Sequence, residues 1–253
     1  MRRSGLFPFV GMVLFLSSPI LAITAEEIVA KNVEARGGAT ALAALNNLKR
    51  TGRLIPPRSN TPLIVSELQA RPGRVREEWT FQGLTQIEAF DGARGWRVQP
   101  FEGRKEPAVM SEDDVKALRI DADLEGPWVD ATAKGHALEY LGTEDVEGTL
   151  AHKVRVRLKQ SGEMTVWIDP DTWMVIRDRV TLTVRGAVRQ TETDYGDYER
   201  AGGVFVPMSE ESGRPGSPSV SRSKLTWEKA EANVSVAPDA FAMPAPASAG
   251  ARR

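Results

Sequence analysis

Residues 121 to 136, DADLEGPWVDATAKGH, crowd three aspartates, Glu125, Trp128 and His136, one of the chain's 2 histidines, into one short stretch. Carboxylates beside an imidazole are the donor set of a hard or borderline metal, and a carboxylate pair can do acid/base work. The spacing does not support either chemistry, because it matches neither the calcium-loop pattern nor a zinc ligand spacing. The segment reads instead as turns and a short helix, with the aspartates as caps, Gly126-Pro127 as a bend and His136 at the entry to a strand. Asp169-Pro170-Asp171 has the form of a metal-binding Asp-x-Asp but stands between two short strands, where Asp and Pro are ordinary turn formers. No Gly-x-Ser-x-Gly elbow, Walker-type loop or paired-histidine motif occurs. Nothing pairs a nucleophile with a base, so the expectation is a non-enzyme with neither metal nor cofactor.

The elements around that stretch begin with an export leader. MRRSGLFPFVGMVLFLSSPILAITAEE opens with Arg2 and Arg3, continues through an apolar run interrupted by Pro8 and Gly11, and ends in small residues. This is the pattern of a signal peptide over residues 1–25, with cleavage after Ala22 or Ala25. The apolar run is too short for a membrane span. With 0 cysteines there is neither a disulfide nor a lipoprotein acylation site. The charge balance of 33 basic against 34 acidic side chains leaves no basic field for nucleic acid.

Thr24-Ala-Glu-Glu27 is a capping box, and Ile28, Val29 and Val33 then line one side of a helix that Gly37-Gly38 stops. ATALAALNNL gives a second short helix. From Lys49 the period changes to two. Val154, Val156 and Leu158 alternate with charged neighbours; Met174, Ile176, Val180, Leu182 and Val184 share a face that Asp178 alone breaks. Turn signals such as Pro72-Gly73, Asp91-Gly92 and Gly202-Gly203 recur at hairpin intervals. The fold expected is mainly β (α+β): a curled antiparallel sheet of about eleven strands forming a half-open barrel, covered by a few lid helices. Ser111-Glu-Asp-Asp114 starts one of these, with Val115 and Leu118 inward. Residues 26–244 form one domain, and the Ala/Pro/Ser-rich tail 245–253 is expected to be disordered.

The segment ARPGRVREEWTFQGLTQIEAFDGARGWRVQP, residues 70 to 100, resembles the bacterial periplasmic lipoprotein carriers of the LolA/LolB type. The matching residues are Arg71-Pro72, Arg76, Trp79, Asp91-Gly92, Trp96 and Pro100. DLEGPWVDATAKGH, GTEDVEGTLAHKV, WIDPDTWMVI, GDYERAGGVFVP and PDAFAMP resemble a longer branch described as outer-membrane lipoprotein-sorting proteins. The resemblance implies a half-open barrel whose apolar cavity takes acyl chains, a periplasmic monomer, an inner-membrane donor complex and an outer-membrane acceptor. It also implies that Arg71, just before the proline of the turn, contacts the lid and helps to set open and closed states. The competing reading of Arg71 is a solvated charge at a strand end.

Trp79, Phe81, Phe90, Trp96 and Val98 are candidates for cavity lining, against the alternative of a filled core. Alternation puts Trp79 and Phe81 on one face and Trp96 and Val98 on one face, without saying which face is inward. Two functions fit: a carrier of lipoprotein acyl chains or other lipids, or a non-enzymatic sensor module that detects them through the same cavity. The sensor would ordinarily show a second domain or an anchor, so the carrier leads.

Overall fold

The computed structural model describes residues 23–160 and 162–245. The expected leader up to Ala22, and all of the expected tail except Ala245, lie outside the described residues.

The chain starts with α1 (Ala25–Ala35) and α2 (Ala39–Ala44). Thr24 caps α1 as a capping box: its hydroxyl accepts from the Glu27 amide at 3.1 Å, and the Glu27 carboxylate accepts from the Thr24 amide at 2.8 Å. Gly37 and Gly38 then take positive φ values, and a Cβ on Gly37 would collide with the Gly203 carbonyl at 2.4 Å. The helical stretch read from ATALAALNNL ends early, because Leu45 turns extended to enter the sheet.

Strands follow in hairpins: β1 (Asn47–Ile55), β2 (Leu63–Ala70), β3 (Arg74–Phe81), β4 (Leu84–Phe90), β5 (Gly95–Gln99) and β6 (Arg104–Val109). The segment 110–136, which contains α3 (Lys116–Asp121), interrupts them. Then come β7 (Ala137–Val146), β8 (Thr149–Arg157), β9 (Glu163–Ile168), β10 (Val175–Val184), β11 (Ala187–Ala201), β12 (Val204–Gly213) and β13 (Ser223–Ala232). Among the described residues these 13 strands form one antiparallel sheet in the order β6-β5-β4-β3-β2-β1-β13-β12-β11-β10-β9-β8-β7. β6 and β7 do not pair, so the barrel stays open.

The strand number exceeds the expected eleven partly because β6 lies where alternation lapses. Its RKEPAV sequence is exposed on both faces, as suits an edge strand carrying Pro107 and charges. A second departure is in β10. Its register against β9 shifts between Val175 and Arg177, so Val175 and Val180 both face the interior while Ile176 packs outward against Trp167. The continuous face read from Met174 through Ile176 to Val180 is therefore split by a bulge, and Asp178 is an interior residue that is 5% exposed.

The concave side carries three apolar clusters. α1 seals the first, placing Ala25 and Ile28 on Val154, Val156, Met164, Val166 and Ile168. α2 contributes Leu42, with Leu45 beyond it, to the second, against Leu48, Val65, Val206 and Trp227. α3 forms the third by laying Val115 and Leu118 on Val75 and Phe90. The last contact needs a glycine: a Cβ on Gly95 of β5 would sit 2.4 Å from a Val115 methyl.

Candidate functional site

Between α3, the segment after it and the concave face lies a cavity of about 520 Å³. Its apolar wall includes Leu48, Val65, Trp79, Leu124, Trp128 and Val180. These positions follow from the register. Trp79 lies opposite Val65, Val65 opposite Gly52, and Gly52 opposite Trp227, so one row of cross-strand neighbours points inward. A second groove, of about 610 Å³, lies on the outer face between β1–β3 and residues 234–245. It is the seam where the chain's own C-terminal segment docks, so the inner cavity is the candidate site.

The cavity floor is polar. Arg50 donates to Glu67 at 2.8 and 3.0 Å and to Glu210 at 2.9 Å, with its guanidinium 4.2 Å from the Trp227 ring centre. The Trp227 indole N–H donates to the same Glu210 oxygen at 2.7 Å. The Tyr195 hydroxyl donates to Asp178 at 2.8 Å, and that of Tyr198 to the Val175 carbonyl at 2.7 Å. Carboxylates outnumber cations here, and they answer by holding protons. Desolvation, followed by the charge of Glu67, pushes Asp121 up to about 8; desolvation raises Asp178 to about 7 against the Tyr195 hydrogen bond. Glu77 is raised well above its ordinary value by desolvation and then by Asp121 and Glu67. Burial also raises both tyrosines. Arg50 stays charged, its desolvation outweighed by Glu67 and Glu210 together.

The stretch 121–136 is the cavity's lid. Lys134 holds both Asp123 oxygens at 2.7 Å, the Trp128 indole donates to Asn32 of α1 at 3.0 Å, and the Gln69 amide donates to the Asp121 carbonyl at 2.5 Å. Asn32 in turn donates to the Trp173 carbonyl at 2.7 Å, so one α1 side chain ties the lid to the β9–β10 turn. His136 stands just before β7 and accepts from the Lys159 amide at 3.1 Å. Among the described residues no three His, Asp or Glu side chains are arranged to hold a metal ion. Asp169 closes an Asx turn, accepting from the amides of Asp171 and Thr172 at 2.8 Å each.

Arg71 donates to the Leu45 and Leu42 carbonyls at 2.8 and 3.0 Å and pairs with Glu125 of the lid segment. It thus joins the end of α2 to the lid. The five aromatic and aliphatic candidates divide between the two faces. Trp79 lines the cavity, Phe81 shares its face further along β3, and Phe90 lies inward beneath α3 rather than in the open cavity. Trp96 and Val98 are on the opposite, outer face, because the inward residues of β5 are Gly95, Arg97 and Gln99, paired against Phe90 and Glu88. Trp96 is instead buried under the C-terminal segment, where its indole donates to the Phe241 carbonyl at 2.8 Å. The expectation of cavity lining by Trp96 and Val98 is corrected accordingly.

The charged floor was missed in the sequence. Its signal is a broken alternation: Leu48, Arg50, Gly52 and Leu54 share the inward face of β1, so an arginine stands where an apolar residue belongs.

This curled antiparallel sheet, left open at one slit and lidded by helices, is similar in fold to two solved structures. A LolA superfamily protein from Nitrosomonas europaea is similar in structure, with a TM-score of 0.57 at 13% identity, over 87% of this chain and 98% of that one. An outer membrane lipoprotein-sorting protein domain from Vibrio parahaemolyticus is similar with a TM-score of 0.55 at 12% identity, over 86% and 97%. At such identities the likeness is one of fold. No protein-family model and no curated protein matches the chain. No helix among the described residues is long and apolar enough to cross a membrane.

Proposed function

We propose that this chain is an exported, periplasmic carrier that takes the acyl chains of lipoproteins or of another lipid into the cavity between sheet and lid, for sorting toward the outer membrane. The observation that carries the reading is the cavity of about 520 Å³, walled by Leu48, Val65, Trp79, Leu124 and Val180. Sheltering an acyl chain is worth about 0.8 kcal/mol per CH2 removed from water, so an apolar pocket does the work and no reaction is needed. The polar floor around Asp178, Tyr195 and Glu77, whose pKa values burial raises, offers hydrogen-bond partners to a polar head that a wholly apolar pocket would leave unsatisfied. Loading and release require the lid, residues 110–136 with α1 and α2, to exchange between two arrangements. Arg71 is the residue whose bonds to α2 and Glu125 hold the closed one. A donor complex in the inner membrane and an acceptor in the outer membrane would complete the route.

The test is uptake of a fluorescent fatty-acyl probe, together with native mass spectrometry of protein purified gently from its own compartment. Bound acylated peptide or phospholipid at about one per chain is expected for a single pocket of this size. Val180→Trp fills the cavity and should abolish uptake. A chain that arrives empty and takes up no probe sinks the reading.

A further inference from the structure

Six large apolar side chains that face solvent sit at one end of the barrel: Ile55, Ile64, Leu84, Phe101, Val188 and Val220, between 38% and 69% exposed. The topology makes this a single rim. β1 and β2 meet there, as do β3 and β4, β5 and β6, β10 and β11, and β12 and β13. Each of these five hairpins contributes at least one of the six; the sixth turn at this end, between β8 and β9, contributes none among the described residues. At the other end, and along the edges, the exposed large apolar residues of the sheet reduce to Val109 and Leu150. Scattered surface apolar residues are normal, but at least one from five of the six hairpins at a common end is not scatter.

Basic residues follow the same distribution. Arg58, Lys105, Arg189 and Arg214 are all exposed, one in or beside each of four of these hairpins. Among the described residues, none of the four has a carboxylate within 4.0 Å. The acidic residues beside these hairpin turns are mostly taken up by other cations: Glu102 is 3.7 Å from Arg104, Glu211 is 3.5 Å from Lys224, and Asp113 and Asp114 of the lid bind Arg185, with Glu106 besides. The whole chain, by contrast, is formally −1. The rim is also tied together and tied to the lid. The Arg58 amide donates to the Val220 carbonyl at 3.0 Å, and Arg185, in the β10–β11 turn, binds the lid residue Asp114 at 2.6 and 2.8 Å. Lys116 of α3 donates to the Thr183 carbonyl at 2.7 Å. Val184, Arg189 and Leu225, all near this end of their strands, line the cavity, so the cavity reaches toward the rim.

We propose that this rim docks on the surface of a bilayer containing anionic lipid, with the six apolar side chains in the interface and the four basic ones at the head groups. Apolar tips ringed by cations are the combination that such a surface selects, since each half adds to the other. A protein groove is less suited to five separate hairpin tips spread around a barrel end. Docking there would set the latch between Arg185 and Asp114 against the membrane.

The experiment is flotation of the purified protein with vesicles of phosphatidylglycerol and phosphatidylcholine, and with phosphatidylcholine alone. Binding should be about tenfold stronger to the anionic vesicles and should fall with salt. A triple variant, Ile64→Ser with Val188→Ser and Val220→Ser, should lose at least that factor while keeping the circular dichroism of the parent; Arg58→Glu with Arg214→Glu should abolish the preference for anionic lipid. A parent that ignores both vesicles overturns the proposal and turns attention to a protein partner. A triple variant that floats like the parent also overturns it. Acyl-probe uptake measured on the same samples separates this inference from the carrier reading: uptake without flotation defeats docking alone, and flotation without uptake defeats the cargo assignment alone.

Discussion

The two sides of the barrel solve the same problem in opposite ways. Under α1, the sheet at β8 and β9 is filled: Ile28, Val154, Val156, Val166 and Ile168 are at 0% exposure. Beside it, where β1 to β3 face β10 to β13, space is left open, and Arg50, Glu67, Asp178 and Glu210 stand at its floor. A close-packed core earns stability but admits nothing, whereas an unfilled floor must be stabilised by paired charges and bound protons. On the proposed reading, the β8–β9 side carries stability and the β1–β3 side the cargo.

The largest expected effect would break this division on its open side. Arg50→Ala leaves Glu67 and Glu210 without their shared cation and should cost about 3–5 kcal/mol in urea unfolding. Loss of less than about 1 kcal/mol would mean that water already solvates the floor. On the filled side, Ile28→Ala should cost about 3 kcal/mol while leaving acyl-probe affinity unchanged. A matching loss of affinity would show that the two sides are not separable.

A smaller effect sharpens the contrast through pH. Asp178 at about 7 and Asp121 at about 8 stand above ordinary aspartate, so the folded chain holds protons that the unfolded chain releases. Their contribution is complete below the unfolded pKa of about 4 and is lost as pH rises through 7 to 8. Stability should therefore decline from pH 5 to pH 8.5, by on the order of 2–3 kcal/mol for Asp178. Asp178→Asn should flatten the decline; a parent chain equally stable at both values would contradict it. The smallest effect concerns the lid. Arg71→Ala removes its bonds to the Leu42 and Leu45 carbonyls and to Glu125, at about 1–2 kcal/mol, and should speed hydrogen exchange in residues 116–129 without touching β8 and β9.

The same contrast governs what could be read from the sequence. Strands with one wet face, such as β8, announce themselves, because Val154 and Val156 alternate with Arg155 and Arg157. The capping box at Thr24 and the turns at Asp91 and Asp169 are local chemistry and were equally legible, whereas the box read at Ser111 does not form and α3 starts only at Lys116. The faces of β3 and β5 were not. Both faces of that hairpin carry aromatics, since the outer one is covered by Phe241, 145 positions away from Trp96. The binding floor was hidden for a related reason: Arg50, Glu67 and Glu77 look like solvent-facing positions until the cross-strand register places all three inward. Asp178 was visible only as a flaw in an apolar run; plain alternation with Val180 and Leu182 turns it inward, while the bulge at Val175 redirects only the residues before it.

The strand order has one more consequence. Read along the sheet from β7 to β13 and on from β1 to β6, every adjacent pair except β13 and β1 is joined by a direct hairpin, and the lid segment 110–136 is what connects the two outermost strands. The molecule is thus a circular permutation of a simple meander, with its breakpoint in the middle of the sheet and its cover serving as the covalent bridge between the edges. Cleaving the backbone inside that bridge would sever no strand from its partner, so the cover is covalent to the wall without being part of its hydrogen-bonded ladder.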